Sequence, residues 1–150
     1  MTHEIAPMLP SLPAMTPEQV ASVRSLESAL RNMAQVDLLM EHLFHAGMYA
    51  RTIAVPAGVL LTGALLKRAT TLVISGDVTV YVGDDCERLT GHHVLPGSAG
   101  RKQAFVSHAL THLTMLFPTQ AKSVAEAEAE FTDETALLEH GTQRVVITGE

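Results

Sequence analysis

Six of the eight histidines fall between residues 42 and 112: His42, His45, His92, His93, His108 and His112. Imidazole is a common metal ligand, so a metal site is the first chemistry to weigh. The spacings speak against one. A strand shows alternate residues to each face, so His92 and His93 point to opposite sides. His42 and His45 share a face only if a helix runs through them. No H-x-H pair and no H-E-x-x-H motif occurs. The alternative, a metal held by His45, His92 (or His93) and His112, needs separate segments to converge. We expect no metal and no other cofactor, with the histidines scattered over surface and rim.

The basic residues offer a second chemistry. Alternation places Tyr49, Arg51, Ile53 and Val55 on one face of a strand. An arginine beside a tyrosine in a barrel mouth can hold a carboxylate with two parallel hydrogen bonds. The plainer reading is an ion pair to Asp37 or Glu41, and it is preferred. Lys67-Arg68 and Arg101-Lys102 are two further basic pairs at strand ends. If they converge with Tyr49 and Arg51, the candidate ligand-binding set is Tyr49, Arg51, Lys67, Arg101 and Lys102, and the ligand is a small anion. Solvated loop ends are the commoner fate of such pairs. No phosphate loop is present, and Ser107-His108 lacks a G-x-S-x-G setting. Cys86 follows Asp84-Asp85, whose negative charge disfavours a thiolate.

These residues must be positioned by a mainly β scaffold. Pro7, Pro10 and Pro13 mark residues 1–15 as an extended arm. Thr16, Pro17 and Gln19 form a helix-start signature, and Val20, Val23, Leu26, Leu30 and Met33 continue an apolar stripe to about residue 33. Seven extended runs follow, at 48–55, 59–66, 70–75, 77–82, 88–95, 103–107 and 111–117. Ser75-Gly76-Asp77 and Gly83-Asp84-Asp85 read as turns. Val78, Val80 and Val82 alternate onto one face. Many short strands at regular spacing indicate a sandwich or barrel. Beyond Pro118, Ser123 and Glu126 open an acidic helix whose Val124, Ala127 and Phe131 face the barrel. Thr132-Asp133-Glu134 either interrupts or recaps it, Gly141 ends it, and Arg144–Thr148 adds an edge strand. The divisions are thus an arm (1–15), helix plus barrel (16–120) and an acidic helical tail (121–150).

Composition fits one globular domain. The 150 residues are 47% apolar and 17% charged, with formal net charge −6. An acidic balance argues against a nucleic-acid partner. No apolar run reaches the roughly 18 residues of a membrane helix, and residues 1–15 lack the features of a signal or transit peptide. One cysteine excludes an internal disulfide and suits a cytoplasmic setting. From residue 121 onward seven acids accompany two bases, so most of the net charge sits in the tail.

The turn pattern resembles that of cupins: Pro56-Ala57-Gly58, Gly63, Ser75-Gly76-Asp77-Val78-Thr79-Val80 and Pro96-Gly97. More narrowly, Gln35-Val36-Asp37, Glu41-His42 and His45-Ala46-Gly47-Met48-Tyr49-Ala50-Arg51-Thr52-Ile53 resemble a group of phage and prophage cupin-like proteins of unestablished function. The resemblance covers roughly residues 16–134. It implies a cupin-like antiparallel β-barrel, or jelly roll, with an N-terminal amphipathic helix and a C-terminal acidic helix. In metal-binding cupins, the two motif stretches carry histidines and a glutamate. Here residues 63–71 hold no His, Asp or Glu, and residues 96–103 hold no His. The family's metal chemistry therefore does not carry over.

The expected function is a non-enzymatic cupin-like module, a phage or prophage accessory or structural protein acting through self-association. It would sit in the host-cell cytoplasm, or in the virion if structural. Its expected partner is a second copy, a homodimer that buries Val20, Val23, Leu26 or Leu30 or an adjoining barrel face; no nucleic acid and no membrane are expected. The alternatives are an organic-anion-binding barrel and a metal-dependent enzyme with a non-standard histidine site.

Overall fold

A computed structural model of the chain describes residues 11–82, 85–139 and 144–146. Its first helix, α1 (Pro17–Leu30), starts as the sequence dictates. Gln19 N donates to Thr16 Oγ1 at 3.1 Å, and Thr16 N donates to Gln19 Oε1 at 2.8 Å. The helix stops one turn short of Met33. The Gln35 amide reaches back to the carbonyls of Leu30 and Met33, at 3.0 Å each, and satisfies the end that a further turn would have covered.

A strand that the sequence reading did not anticipate follows. β1 (Leu39–His45) pairs antiparallel with β2 (Met48–Val55) through the two-residue turn Ala46-Gly47. Both turn residues have positive φ, 52° and 73°, as a hairpin turn matched to strand twist requires. His42 and His45 therefore lie on a strand, not a helix, and face opposite ways.

The remaining strands are β3 (Val59–Thr62), β4 (Thr70–Val82), β5 (Asp85–Gly97), β6 (Ala104–Ser107), β7 (Thr111–Pro118) and β8 (Arg144–Val146). Among the described residues they form one folded sheet of order β1-β2-β7-β4-β6-β3-β8, with β5 on β4. β8 is the edge strand expected near residue 144, and it pairs β3. Its side chains, the Gly83-Asp84 part of the second turn, the Val82 side chain and the Gly141 helix stop lie outside the described residues. The run expected at 59–66 ends at Thr62.

The turn expected at Ser75-Gly76-Asp77 is absent, and β4 is continuous. Its first half pairs β7 and its second half pairs β6. Gly76 marks the change of neighbour. At this bend β4 lies against Thr111, whose Oγ1 exchanges hydrogen bonds with Asp77 N and O at 3.1 and 3.2 Å. A Cβ on Gly76 would stand 2.5 Å from that oxygen and 2.7 Å from Leu110 O.

Two apolar clusters fill the interior. One joins Val55, Val59, Leu61, Leu72, Ile74, Val78, Val80, Leu89, Leu95 and Leu113, and Leu12 from the N-terminal arm docks into it. The described end of the arm is tied down, since Leu12 exchanges backbone hydrogen bonds with Pro96 and Ser98, while Pro7 and Pro10 lie outside the described residues. The second cluster sets Tyr49 and Phe117 against Ala127 and Phe131 of α2 (Val124–Phe131). Ser123 caps α2 by accepting from Glu126 N, and Thr132-Asp133-Glu134 separates it from α3 (Thr135–Glu139). No helix among the described residues is long and apolar enough to cross a membrane.

Gly76→Ala should destabilise the fold by about 1–3 kcal/mol or more, because the Leu110–Thr111 backbone blocks the methyl group and cannot yield as a flexible side chain would. Gly91→Ala meets nothing within 4 Å and bears only the strain of φ 83°, so it should cost about 1–2 kcal/mol. Urea denaturation of the two variants checks the order.

Candidate functional site

The barrel interior contains a cavity of about 120 Å³ lined by Met40, Ile53, Leu61, Leu66, Leu72, Phe105, Leu113, Met115, Phe131 and Leu138. Its polar side chains are Arg51, Arg101 and Gln103. Strand alternation explains all three. Arg51 shares the inward face of β2 with Tyr49 and Ile53, and Arg101 and Gln103 continue the inward phase of Phe105 and Ser107 into β6.

Arg51 is buried and neutralised. Its Nη1 donates to Glu128 Oε2 at 2.9 Å and lies 3.3 Å from the Tyr49 hydroxyl. Its guanidinium carbon stands 5.7 Å from the centre of the Phe131 ring. The ion-pair reading was correct in kind, but the partner is Glu128 on α2 rather than Asp37 or Glu41. Tyr49 is fully buried, and its hydroxyl meets His42 Nδ1 at 2.6 Å. Burial raises the tyrosine pKa, while burial and the Arg51 charge lower that of His42. The His42–Tyr49 pair therefore stays neutral near pH 7, behind Arg51 and outside the cavity wall.

Arg101 is in a different state. It is 4% exposed, and its three hydrogen bonds all go to neutral oxygens. Nε donates to Ser98 O at 3.0 Å, Nη1 to Gln103 Oε1 at 2.7 Å and Nη2 to Thr70 Oγ1 at 2.5 Å. Gly97 makes room for it, since a Cβ there would lie 2.3 Å from Nη2. Burial alone pulls its pKa down to about 10, which leaves it charged near neutrality. No carboxylate among the described residues pairs with it. Its bond to Gln103 Oε1 also fixes the amide orientation. Gln103 Nε2 is then left buried with no hydrogen-bond partner among the described residues. An amide N–H in that state costs about 1–3 kcal/mol.

Lys102 and Lys67 do not join this group. Consecutive residues of an extended segment point opposite ways, so Lys102 leaves the cavity and meets α1. It is fully buried and donates to Glu27 Oε2 at 3.0 Å and Gly63 O at 2.8 Å, with Glu134 Oε1 at 3.4 Å. Lys67 is exposed and pairs with Asp133 at 2.7 Å. Of the five residues proposed from sequence, Arg51 and Arg101 line the cavity, Tyr49 buttresses Arg51, and Lys67 and Lys102 are engaged elsewhere. Gln103, Glu27, Glu128 and Glu134 were missed. The inward phase of Phe105 and Ser107 was the available signal for Gln103; the carboxylates had none, because each acts at long sequence separation.

The histidines of the alternative metal site do not converge as three. His92 and His112 flank Ser75 in register, on the same outer face, and His92 Nδ1 bonds Ser75 Oγ at 2.8 Å. His45 lies at the other end of β1, opposite Met48. No group of three His, Cys, Asp or Glu suited to a metal occurs among the described residues.

No protein-family model and no curated protein matches the chain. Solved structures do. Ectoine synthase from P. lautus aligns with TM-score 0.52 at 12% identity, over 85% of this chain and 90% of that one. A cupin superfamily protein from Desulfitobacterium hafniense aligns at 0.46 and 15% identity, over 76% and 100% of the two chains. A cupin family protein with a double-stranded β-helix fold from Methanocaldococcus jannaschii aligns at 0.46 and 13%, over 59% and 84%. At these identities the likeness is one of fold. The chain is a mainly antiparallel, cupin-like jelly roll with flanking helices.

Glu134 yields a pH prediction. Burial pushes its pKa up, but Leu65 N–H at 2.6 Å, Lys102 and Arg24 together bring it below the ordinary 4.5. A depressed folded-state pKa gives stability that is complete above the unfolded value and lost as pH falls through the folded one. Glu134→Gln should therefore lower Tm at pH 7 and flatten the loss of Tm on acidification below 4.5. Parallel thermal melts of both proteins across that range check it.

Proposed function

We propose that the barrel is a binding site for one small organic acid, with its carboxylate at Arg101 and Gln103 and its apolar body against the leucine, methionine and phenylalanine wall. The observation that carries this reading is a buried guanidinium that no carboxylate among the described residues pairs, beside an amide N–H that finds no partner among them, both at the wall of one cavity. Arginine has five N–H donors, and three are used. A carboxylate supplies both the missing charge and the missing acceptor. The size limits the ligand: the cavity of about 120 Å³ is smaller than the roughly 150 Å³ that accepts benzene, so the acid that fits is a short aliphatic one.

The same groups favour binding over catalysis. A guanidinium and a primary amide are poor general acids and bases near pH 7, and the two cupin motif stretches offer no histidine ligand. A non-enzymatic phage or prophage accessory role, as the resemblance of residues 35–53 implies, is consistent with a barrel that binds without reacting.

Butyrate should raise Tm, by the equivalent of about 2.7 kcal/mol at 100 times its Kd. Butylamine should not, because it would set an ammonium against Arg101. Gln103→Leu should weaken butyrate tenfold or more, the value of a hydrogen bond to a charged group. Gln103→Glu should abolish the effect by placing a carboxylate where the ligand's must lie. Calorimetric titration that finds no butyrate binding, or finds it unchanged in both variants, refutes the assignment.

A further inference from the structure

The helix stripe expected to hold a second copy is used by the chain itself: Val23 and Leu30 are buried, and Val20 and Leu26 are half-buried. Among the described residues, three large exposed apolar side chains share one face, the outer side of β1, β2, β7, β4 and β5, while Met33, Phe44, Tyr81 and Leu110 are exposed away from it. Register sets its residues in three rows across the five strands, the middle one Glu41–Thr52–Thr114–Val73–Val94, with Leu43 and Leu39 at the β1 ends of the rows on either side. Leu39, Leu43 and Val94 are 68%, 59% and 42% exposed. The rows contain one carboxylate, Glu41, and no lysine or arginine.

We infer that this face stacks on the same face of a second copy to form a twofold dimer. Three features select that occupant. The first is charge: each copy carries −6, and this nearly neutral face is a place where two such bodies approach without repulsion. The second is area. Five strands about 4.8 Å apart, each showing three alternate residues, span about 500 Å² of plane per copy. The pair then buries about 1,000 Å² even before the relief of side chains is counted, which meets the lower limit for a specific interface. The third is arrangement. The central strand β7 carries Thr114 in the middle row, flanked by Thr52 and Val73, so small side chains occupy the centre and let sheets approach to about 10 Å. A twofold axis along β7 sets β1 against the partner's β5 and keeps the two Glu41 side chains a sheet-width apart. An axis across the strands would bring them together.

Light scattering on the purified chain at micromolar concentration tests this, with Thr114→Lys and Leu43→Lys. Wild type should show twice the 16.1 kDa chain mass. Thr114→Lys should shift it to the single mass by placing two ammonium groups at the axis, with the circular dichroism spectrum retained. Leu43 is too exposed to be needed for folding, so Leu43→Lys gives a second reading if the central variant does not fold; it should raise the dimer Kd at least tenfold. A monomeric wild type, or a dimer whose mass and Kd neither substitution alters, overturns the proposal.

Discussion

The Lys102 ammonium is the constraint around which the outer wall is organised. It is fully buried, and a buried unpaired charge is among the most costly features a fold can carry. It is met by Glu27 from α1, the Gly63 carbonyl just beyond β3 and Glu134 at the start of the α3 segment. Three separate parts of the chain must be in place for this one group to be tolerated. Glu134 in turn accepts from Leu65 N and Arg24, so the helical tail is fastened to both α1 and the strand exit. Breaking such a site by removing one partner typically costs about 3–5 kcal/mol.

Fixing Lys102 outward also fixes Arg101 inward, because one extended backbone carries both. The contrast between the three buried cations then follows. Lys102 has two carboxylates, Arg51 has Glu128, and Arg101 has neutral oxygens only. An acidic protein thus holds a buried positive charge inside the barrel with no carboxylate on it among the described residues, against an apolar wall where low dielectric strengthens any anion contact. The aromatic set on the other side, with Tyr49 edge-on to Phe117 and Phe117 edge-on to Phe131, keeps α2 seated so that Glu128 reaches Arg51 and not the cavity centre.

Local signals in the sequence placed the elements they govern. The Thr16 and Ser123 caps, the inward phase of Tyr49 and Arg51, and the edge strand near Arg144 were legible because each depends on residues close by. Gly76 was misread, since a glycine can mark a turn or a close approach, and only the distant Thr111 decides between them. The strand Leu39–His45 was missed because its partner β2, not its own alternation, makes it a strand. Arg51–Glu128 and Lys102–Glu27 are separated by 77 and 75 residues, and no spacing rule reaches that far. The pair Arg101-Lys102 was read as one basic unit, although strand alternation already divides it.

The cavity and the outer sheet face share a backbone. Thr114 lies on the outer face between Leu113 and Met115, which line the cavity, and Thr52 lies between Arg51 and Ile53 in the same way. Thr52 and Thr114 are themselves joined across β2 and β7 by a 2.8 Å hydrogen bond. Whatever holds these two strands from outside therefore also holds the inner side chains that shape the ligand wall. Linkage makes such an effect reciprocal: an occupant inside that orders β2 and β7 favours stacking outside by the same factor by which stacking favours the occupant. The proposed acid site and the proposed dimer face, which the sequence presents as competing readings, thus lie on opposite sides of the same two strands.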